Sequence, residues 1–160
     1  FLKAAEQGLA RAQVSLASLY EEGKGVKQDT TEAIRWYRLA AAQGDEDALM
    51  NLTAMCSRGN AVAQFNLAQM YEAGEGVTPD EEEASKWYRK AAEQENENAL
   101  DSLVAMCDKG IAVAQFNLGS MYHDGMGVTQ DDKEASKWFQ KAADQGYKAA
   151  KARLDKMKSK

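Results

Sequence analysis

At 160 residues the chain is long enough for one domain with a sizeable buried core and too short for two independent ones. A formal charge of −5 argues against nucleic acid as the main partner, no apolar run approaches membrane-spanning length, and two cysteines, Cys56 and Cys107, are too few for a disulfide framework. Abundant Ala, Glu, Lys, Gln and Leu with a single proline, Pro79, favour helix throughout, so an all-α protein is expected.

The chain opens with "FLKAAEQG", which matches the tail of a segment met again later. Residues 1–8 are therefore expected to be the end of a truncated preceding repeat, in a chain excised from a longer protein. The first full helical pattern runs from about Leu9 to Glu22, with Ala12, Leu16, Leu19 and Tyr20 at three- and four-residue spacings, and stops at Gly23. A second starts at a capping box, Asp29 with Glu32, and carries the stripe Ala33, Trp36, Tyr37, Ala40 and Ala41. A third, "DEDALMNLTAMCSRG", puts Ala48, Leu49, Leu52, Met55 and Cys56 on one face before Gly59.

Between the first two patterns lies "GKGV", which invites a phosphate-loop reading. A dinucleotide loop needs a third glycine and a preceding strand, and a Walker loop needs Gly-Lys-Ser/Thr. Neither is present in "GKGVKQD", "GEGVTPD" or "GMGVTQD". The structural reading is that Gly23 ends a helix, Gly25 lets the chain reverse and Val26 tucks back under the turn.

The pattern then repeats. A shift of 51 residues superposes Leu16 on Leu67 and Leu118, Tyr20 on Tyr71 and Tyr122, the glycine pairs on one another, and Trp36 on Trp87 and Trp138. Helices of about a dozen residues are marginal alone, so each must bury its stripe against neighbours, as stacked repeats do. The periods are 9–59, 60–110 and 111–160, all within one domain, 1–160.

"AVAQFNLAQMYEAGEGV" followed by "DEEEASKWYRKAAEQ" resembles the Sel-like repeat family, a relative of the tetratricopeptide repeats. The resemblance covers nearly the whole chain and implies a right-handed α-solenoid of antiparallel helix pairs, each of about 36 residues. The 51-residue period departs from it by a 15-residue insert, "ALMNLTAMCSRGNAVAQ" and "ALDSLVAMCDKGIAVAQ" spanning the two places where it occurs. An extra short helix per period is expected either to invert the local chain direction or to sharpen the superhelical turn.

Little chemistry is available. His123 is the only histidine, which leaves no His-based metal cluster and no Ser-His-Asp or His-Cys constellation. Cys56 and Cys107 read as small buried residues, and no catalytic residue, cofactor or metal is expected. The resemblance implies an adaptor that binds a protein or peptide partner through the concave face lined by first helices. That face carries Arg11, Val14, Ser18 and Glu21, then Val62, Phe65, Gln69 and Glu72, then Val113, Phe116, Ser120 and His123. Phe65 and Phe116 read as core in preference to groove, since the family pattern often carries an aromatic there. The alternatives are an inhibitor or immunity-type repeat protein that blocks an enzyme, and a penicillin-binding or β-lactamase-like activity, although the cysteine pairs of such relatives are absent. Nucleic acid and direct membrane insertion are not expected as modes of binding, and the compartment, cytoplasmic or periplasmic/secreted, is not legible.

The last helix is basic: Lys148, Lys151, Arg153, Lys156, Lys158 and Lys160 face only Asp155, giving +5, so the rest of the chain sums to −10. Leu154 and Met157 keep the register, but Lys151, Lys156 and Lys158 stand where the first period has Leu49, Ala54 and Cys56. A polar outer face of this kind is expected of a terminal cap.

Overall fold

The computed structural model describes residues 2–159; Phe1 and Lys160, the outer ends of the expected domain boundaries, lie outside them. Among the described residues there are ten helices and no strand. They are α1 (Leu2–Glu6), α2 (Ala10–Glu22), α3 (Thr30–Ala42), α4 (Glu46–Ser57) and α5 (Ala61–Ala73), followed by α6 (Glu81–Ala92), α7 (Glu97–Asp108), α8 (Ala112–Asp124), α9 (Asp132–Asp144) and α10 (Lys148–Lys158). By internal contacts the chain divides into two compact units, Phe1–Asp80 and Glu81–Lys160.

The helix boundaries follow from local chemistry. Asp29 accepts from the Glu32 amide at 3.0 Å to start α3, and Asp45, Asn60 and Asn96 do the same for Ala48, Ala63 and Ala99 at the starts of α4, α5 and α7. Asp131 caps α9 by accepting from both Lys133 and Glu134, which holds its carboxyl below the usual carboxylate range. The helices α2, α5 and α8 end on Gly23, Gly74 and Gly125 in left-handed conformation.

In the first unit, α2 and α3 run antiparallel: Tyr37 donates to Glu21 at 3.0 Å, and Gln43, just past the end of α3, reaches back to Gln13 at 2.8 Å. Tyr37 is 2% exposed, and burial, reinforced by the Glu21 carboxylate, raises its phenol well above its ordinary value. With the extra helix α4 inserted between them, α3 and α5 run in the same sense. Arg38 meets Asn66 and Gln69, and Ala41 meets Gly76, so position advances together along the two. The second unit repeats this between α6 and α8, where Ser85 meets Asn117 and Ala92 meets Gly127. Of the two consequences expected for the insert, inversion of the local chain direction is the one observed.

Buried glutamines tie the layers. Gln13 donates its side-chain amide to the Ala5 carbonyl at 3.1 Å, Gln64 to Cys56 at 3.0 Å and Gln115 to Cys107 at 3.1 Å, all at 5% exposure or less. Each acceptor sits near the end of the helix before, where carbonyls have no intrahelical donor. The largest fully buried side chains include Ile34, Leu52, Leu67 and Met70 in the first unit, and Tyr88, Leu103, Met106 and Leu118 in the second. In α10, Leu154 joins the cluster of Ala135, Phe139, Ala142 and Ala150, Met157 packs against it, and Lys151, Lys156 and Lys158 are exposed.

The second glycine of each loop meets a demand that goes beyond reversal of the chain. A Cβ at Gly76 would lie 2.0 Å from the Ala41 carbonyl oxygen and one at Gly127 2.3 Å from that of Ala92, whereas at Gly25 nothing lies within 4 Å. All three have positive φ. Gly25→Ala should therefore cost only the left-handed penalty, about 1–2 kcal/mol, while Gly76→Ala and Gly127→Ala should each cost about 1–3 kcal/mol more through forced displacement of a helix end. Chemical denaturation of the three variants checks this ranking.

Glu95 breaks the loop pattern in the opposite way. It has φ 65° at the position taken by Gly44 and Gly146 in the other periods, both left-handed. Glu95→Gly removes the side-chain clash and adds some unfolded-state entropy. We expect a net gain of about 0.5–1 kcal/mol, read as a higher denaturation midpoint at unchanged slope.

Candidate functional site

The residues expected to line a binding face are placed unequally. On α2, Arg11 is exposed, Val14 and Ser18 are half-buried, and the Ser18 hydroxyl donates to Glu22 at 3.1 Å. Glu21 is held inside its own unit, accepting from Tyr37 at 3.0 Å and from Arg58 at 2.8 Å. On α5, Val62 and Glu72 are exposed and Phe65 and Gln69 half-buried, with Gln69 accepting from Arg38 at 2.7 Å. The structure thus turns part of α5's face toward α3.

On α8 the same positions serve the core of the second unit. Val113 is half-buried, and Phe116 lies 5.6 Å from the Phe139 ring and 5.2 Å from that of Tyr147. Ser120 is 2% exposed and donates to the Phe116 carbonyl at 3.0 Å, so its hydroxyl offers nothing to a partner. The physical reason is Gly119: its missing side chain leaves the space in which Phe139 sits, since a Cβ there would lie 2.9 Å from that ring. His123 points its Nδ1 at Asp132 Oδ1, 2.6 Å away.

A cleft of about 510 Å3 opens between α3 and α5, lined by Thr31, Ile34, Arg35, Arg38, Leu39, Ala42, Val62, Asn66 and Glu75. Its floor is Ile34, 1% exposed, and its sides carry Leu39 and Val62, which are 41% and 38% exposed. Arg38 spans it, donating to Asn66 at 3.0 Å, Gln69 at 2.7 Å and Glu75 at 3.1 Å. Arg35 lies over the Trp36 ring at 5.1 Å and contacts Glu32 at 3.2 Å. Of the lining residues, sequence reading singled out only Val62. The available signal was difference between periods: Ile34, Leu39 and Ala42 correspond to Ser85, Lys90 and Glu93.

Among the described residues, no group of three or more His, Cys, Asp or Glu gathers to hold a metal ion, and no helix is long and apolar enough to cross a membrane. Cys56 and Cys107 are both buried. Burial, with Asp108 adding to it and Lys141 opposing it, pushes the Cys107 thiol up to about 12. The thiolate is therefore scarce near neutrality. A thiol-exchange titration at pH 8 should find Cys107 unreactive in the native protein and fully reactive in denaturant; rapid native reaction would contradict its placement.

The sequence profile of the Sel1 repeat matches residues 10–45, 61–96 and 112–147. Each match spans a helix pair, α2 with α3, α5 with α6 and α8 with α9, and leaves α4, α7 and α10 beyond its bounds. Chitin synthase regulatory factor 3 of Schizosaccharomyces pombe is 32% identical over 97% of this chain, which is 14% of that protein. The exopolysaccharide production negative regulator of Rhizobium leguminosarum bv. viciae is 30% identical over 93% of this chain and 50% of its own length. The chain thus spans half or less of these relatives. A Sel1 repeat protein of known structure from Oxalobacter formigenes is 37% identical, with 96% of this chain and 93% of that one covered and a TM-score of 0.33. With three matched units that together take up more than half of its length, the chain belongs to the Sel1 repeat family.

Proposed function

We propose that this chain is a non-catalytic adaptor segment that binds a protein partner and thereby regulates it. The observation that supports this most directly is the pairing of one repeat scaffold with regulatory roles in distant relatives, one named for chitin synthase and one for exopolysaccharide production. A scaffold that serves such different systems acts through surfaces that vary while the ladder stays the same. Binding through helix faces is the mode available to a rigid all-helical repeat. One relative is a negative regulator, which favours blockade of the partner as the second reading.

The test is affinity recovery of the protein from extracts of its source, followed by quantitation of the proteins that stay bound. The adaptor reading expects a stoichiometric protein partner that remains active when bound. A partner that loses activity in proportion to occupancy would establish the inhibitor reading. Turnover of a labelled β-lactam by the purified protein, retained through repeated purification, would overturn both.

A further inference from the structure

The last period leaves open the place where the earlier periods seat their next helix. In the second unit, Ser85 of α6 accepts from Asn117 of α8 at 3.0 Å, and the Cys107 carbonyl of α7 accepts from Gln115 at 3.1 Å. One period on, Ser136 and Lys158 stand at those two places and line an open cleft of about 590 Å3 between α9 and α10, with Leu154 and Met157 as its apolar part. We propose that this cleft seats an acidic amphipathic helix of the protein partner, its apolar stripe on Leu154 and Met157 and its carboxylates at Lys133, Arg153, Lys156 and Lys158. The proposal deepens the adaptor reading and rests on it.

The helical form of the occupant follows from the other periods. There α5 packs on α3 and α4, and α8 on α6 and α7. Leu52 and Leu103, at the place of Leu154, are fully buried, as is Met106 at the place of Met157. Met157 keeps its apolar character but is only half-buried. A seat that takes a helix twice in one chain is shaped for a helix the third time.

Its acidity follows from what has changed at the seat. Lys133 replaces Thr31 and Glu82, Lys158 replaces Cys56 and Cys107, and the earlier periods carry no cation at the places of Arg153 and Lys156 either. Among the described residues none of these four side chains has an ion-pair partner, whereas Arg38, Arg58 and Arg89 are paired. Arg153 and Lys156 line a smaller hollow of about 210 Å3 that shares His123 and Met157 with the cleft. The one carboxylate lining either space is Asp132, and it is engaged by His123 Nδ1 at 2.6 Å. A soluble outer face accounts for polar residues of either sign. It does not account for cations alone around a cleft in a chain whose net charge is −5, and that field selects an acidic occupant.

A second copy of the chain fits less well. Its helix α2 is the counterpart of α5 and α8, but Gln13 of α2 already donates to Ala5 as Gln115 does to Cys107. The chain's own α1 thus fills the place that α10 of another molecule would need.

The experiment selects from a displayed library of helical peptides on the immobilised chain, then titrates a synthetic peptide of the enriched consensus by fluorescence anisotropy. An apolar stripe at i, i+3 or i+4 and i+7, flanked by Asp or Glu, is expected. Lys133→Glu with Lys158→Glu, both at exposed positions, should bind that peptide at least about tenfold more weakly while melting like the wild type. Ser136→Trp, which fills the cleft without altering charge, should also weaken binding. Lys3→Glu with Lys27→Glu, the same charge change at exposed positions of the first unit, should leave it unchanged. A basic consensus, no enrichment, or equal binding by the wild type and the Lys133 and Lys158 double variant overturns the cleft and leaves the adaptor reading standing. Equal weakening by the first-unit variant overturns it as well, since net charge alone would then explain binding. Sedimentation of the purified chain as an oligomer that the Lys133 and Lys158 changes dissociate would give the seat to a second copy instead. Recovery of a partner from extracts reports separately on the adaptor reading.

Discussion

A buried side-chain amide bonded to a carbonyl at the end of the preceding helix is the constraint on which the layers of this protein depend. Gln13, Gln64 and Gln115 each make this bond, eight residues from their acceptors. Each acceptor carbonyl also takes the backbone amide of a glycine three residues on, Gly8, Gly59 or Gly110, so the glutamine fills its second lone pair, and the buried group that would go unpaired if the next helix shifted is the glutamine amide, at a cost of about 1–3 kcal/mol. The bond therefore specifies where the next helix must start. An apolar residue of similar size would fill the space and lose the register.

The same logic extends to the partners of those glutamines. Gln43 and Gln145, which come directly after α3 and α9, reach Gln13 and Gln115 at 2.8 Å. One amide thus links three successive segments in each case: the end of one helix, the start of the next and the turn after the third. Close approach of glycine to the Ala41 and Ala92 carbonyls then sets how near the following loop can come. Specific polar bonds fix the register while alanine and glycine fix the distance, and Trp and Tyr fill the remaining space.

Much of this was legible. The 51-residue period, the aspartate caps and the buried Trp36, Trp87, Tyr37 and Tyr88 all follow from spacing, because caps and amphipathic stripes are local. The features that were not legible are tertiary. The second loop glycine looks like a turn residue in all three periods, and only the neighbouring helix end reveals that Gly76 is also a contact point where Gly25 is not. Likewise, nothing local to Ser120 marks it as core; Gly119 and Phe139, one helix apart, decide that together. The direction of α5 relative to α3 was left open for the same reason, since a helix of given length can be continued in either sense until its contacts are known.

Where repeats differ, their differences separate two kinds of position. Gln13, Gln64 and Gln115 are identical because the ladder requires them, whereas Leu39, Lys90 and Lys141 share a place that the ladder leaves unspecified. In the last two periods the amine of that lysine lies over the neighbouring tryptophan, 4.4 Å from Trp87 and 4.0 Å from Trp138, while in the first Arg35 covers Trp36 instead. Position 35 is basic in every period, as Arg35, Lys86 and Lys137, and Lys86 also lies over Trp87 at 5.6 Å, so position 39 can be leucine without leaving the tryptophan uncovered. A repeat can in this way acquire an apolar surface at one period while its core, caps and glutamine bonds stay as they are in the others. Variation at such positions allows members of one repeat family to meet different partners on the same backbone.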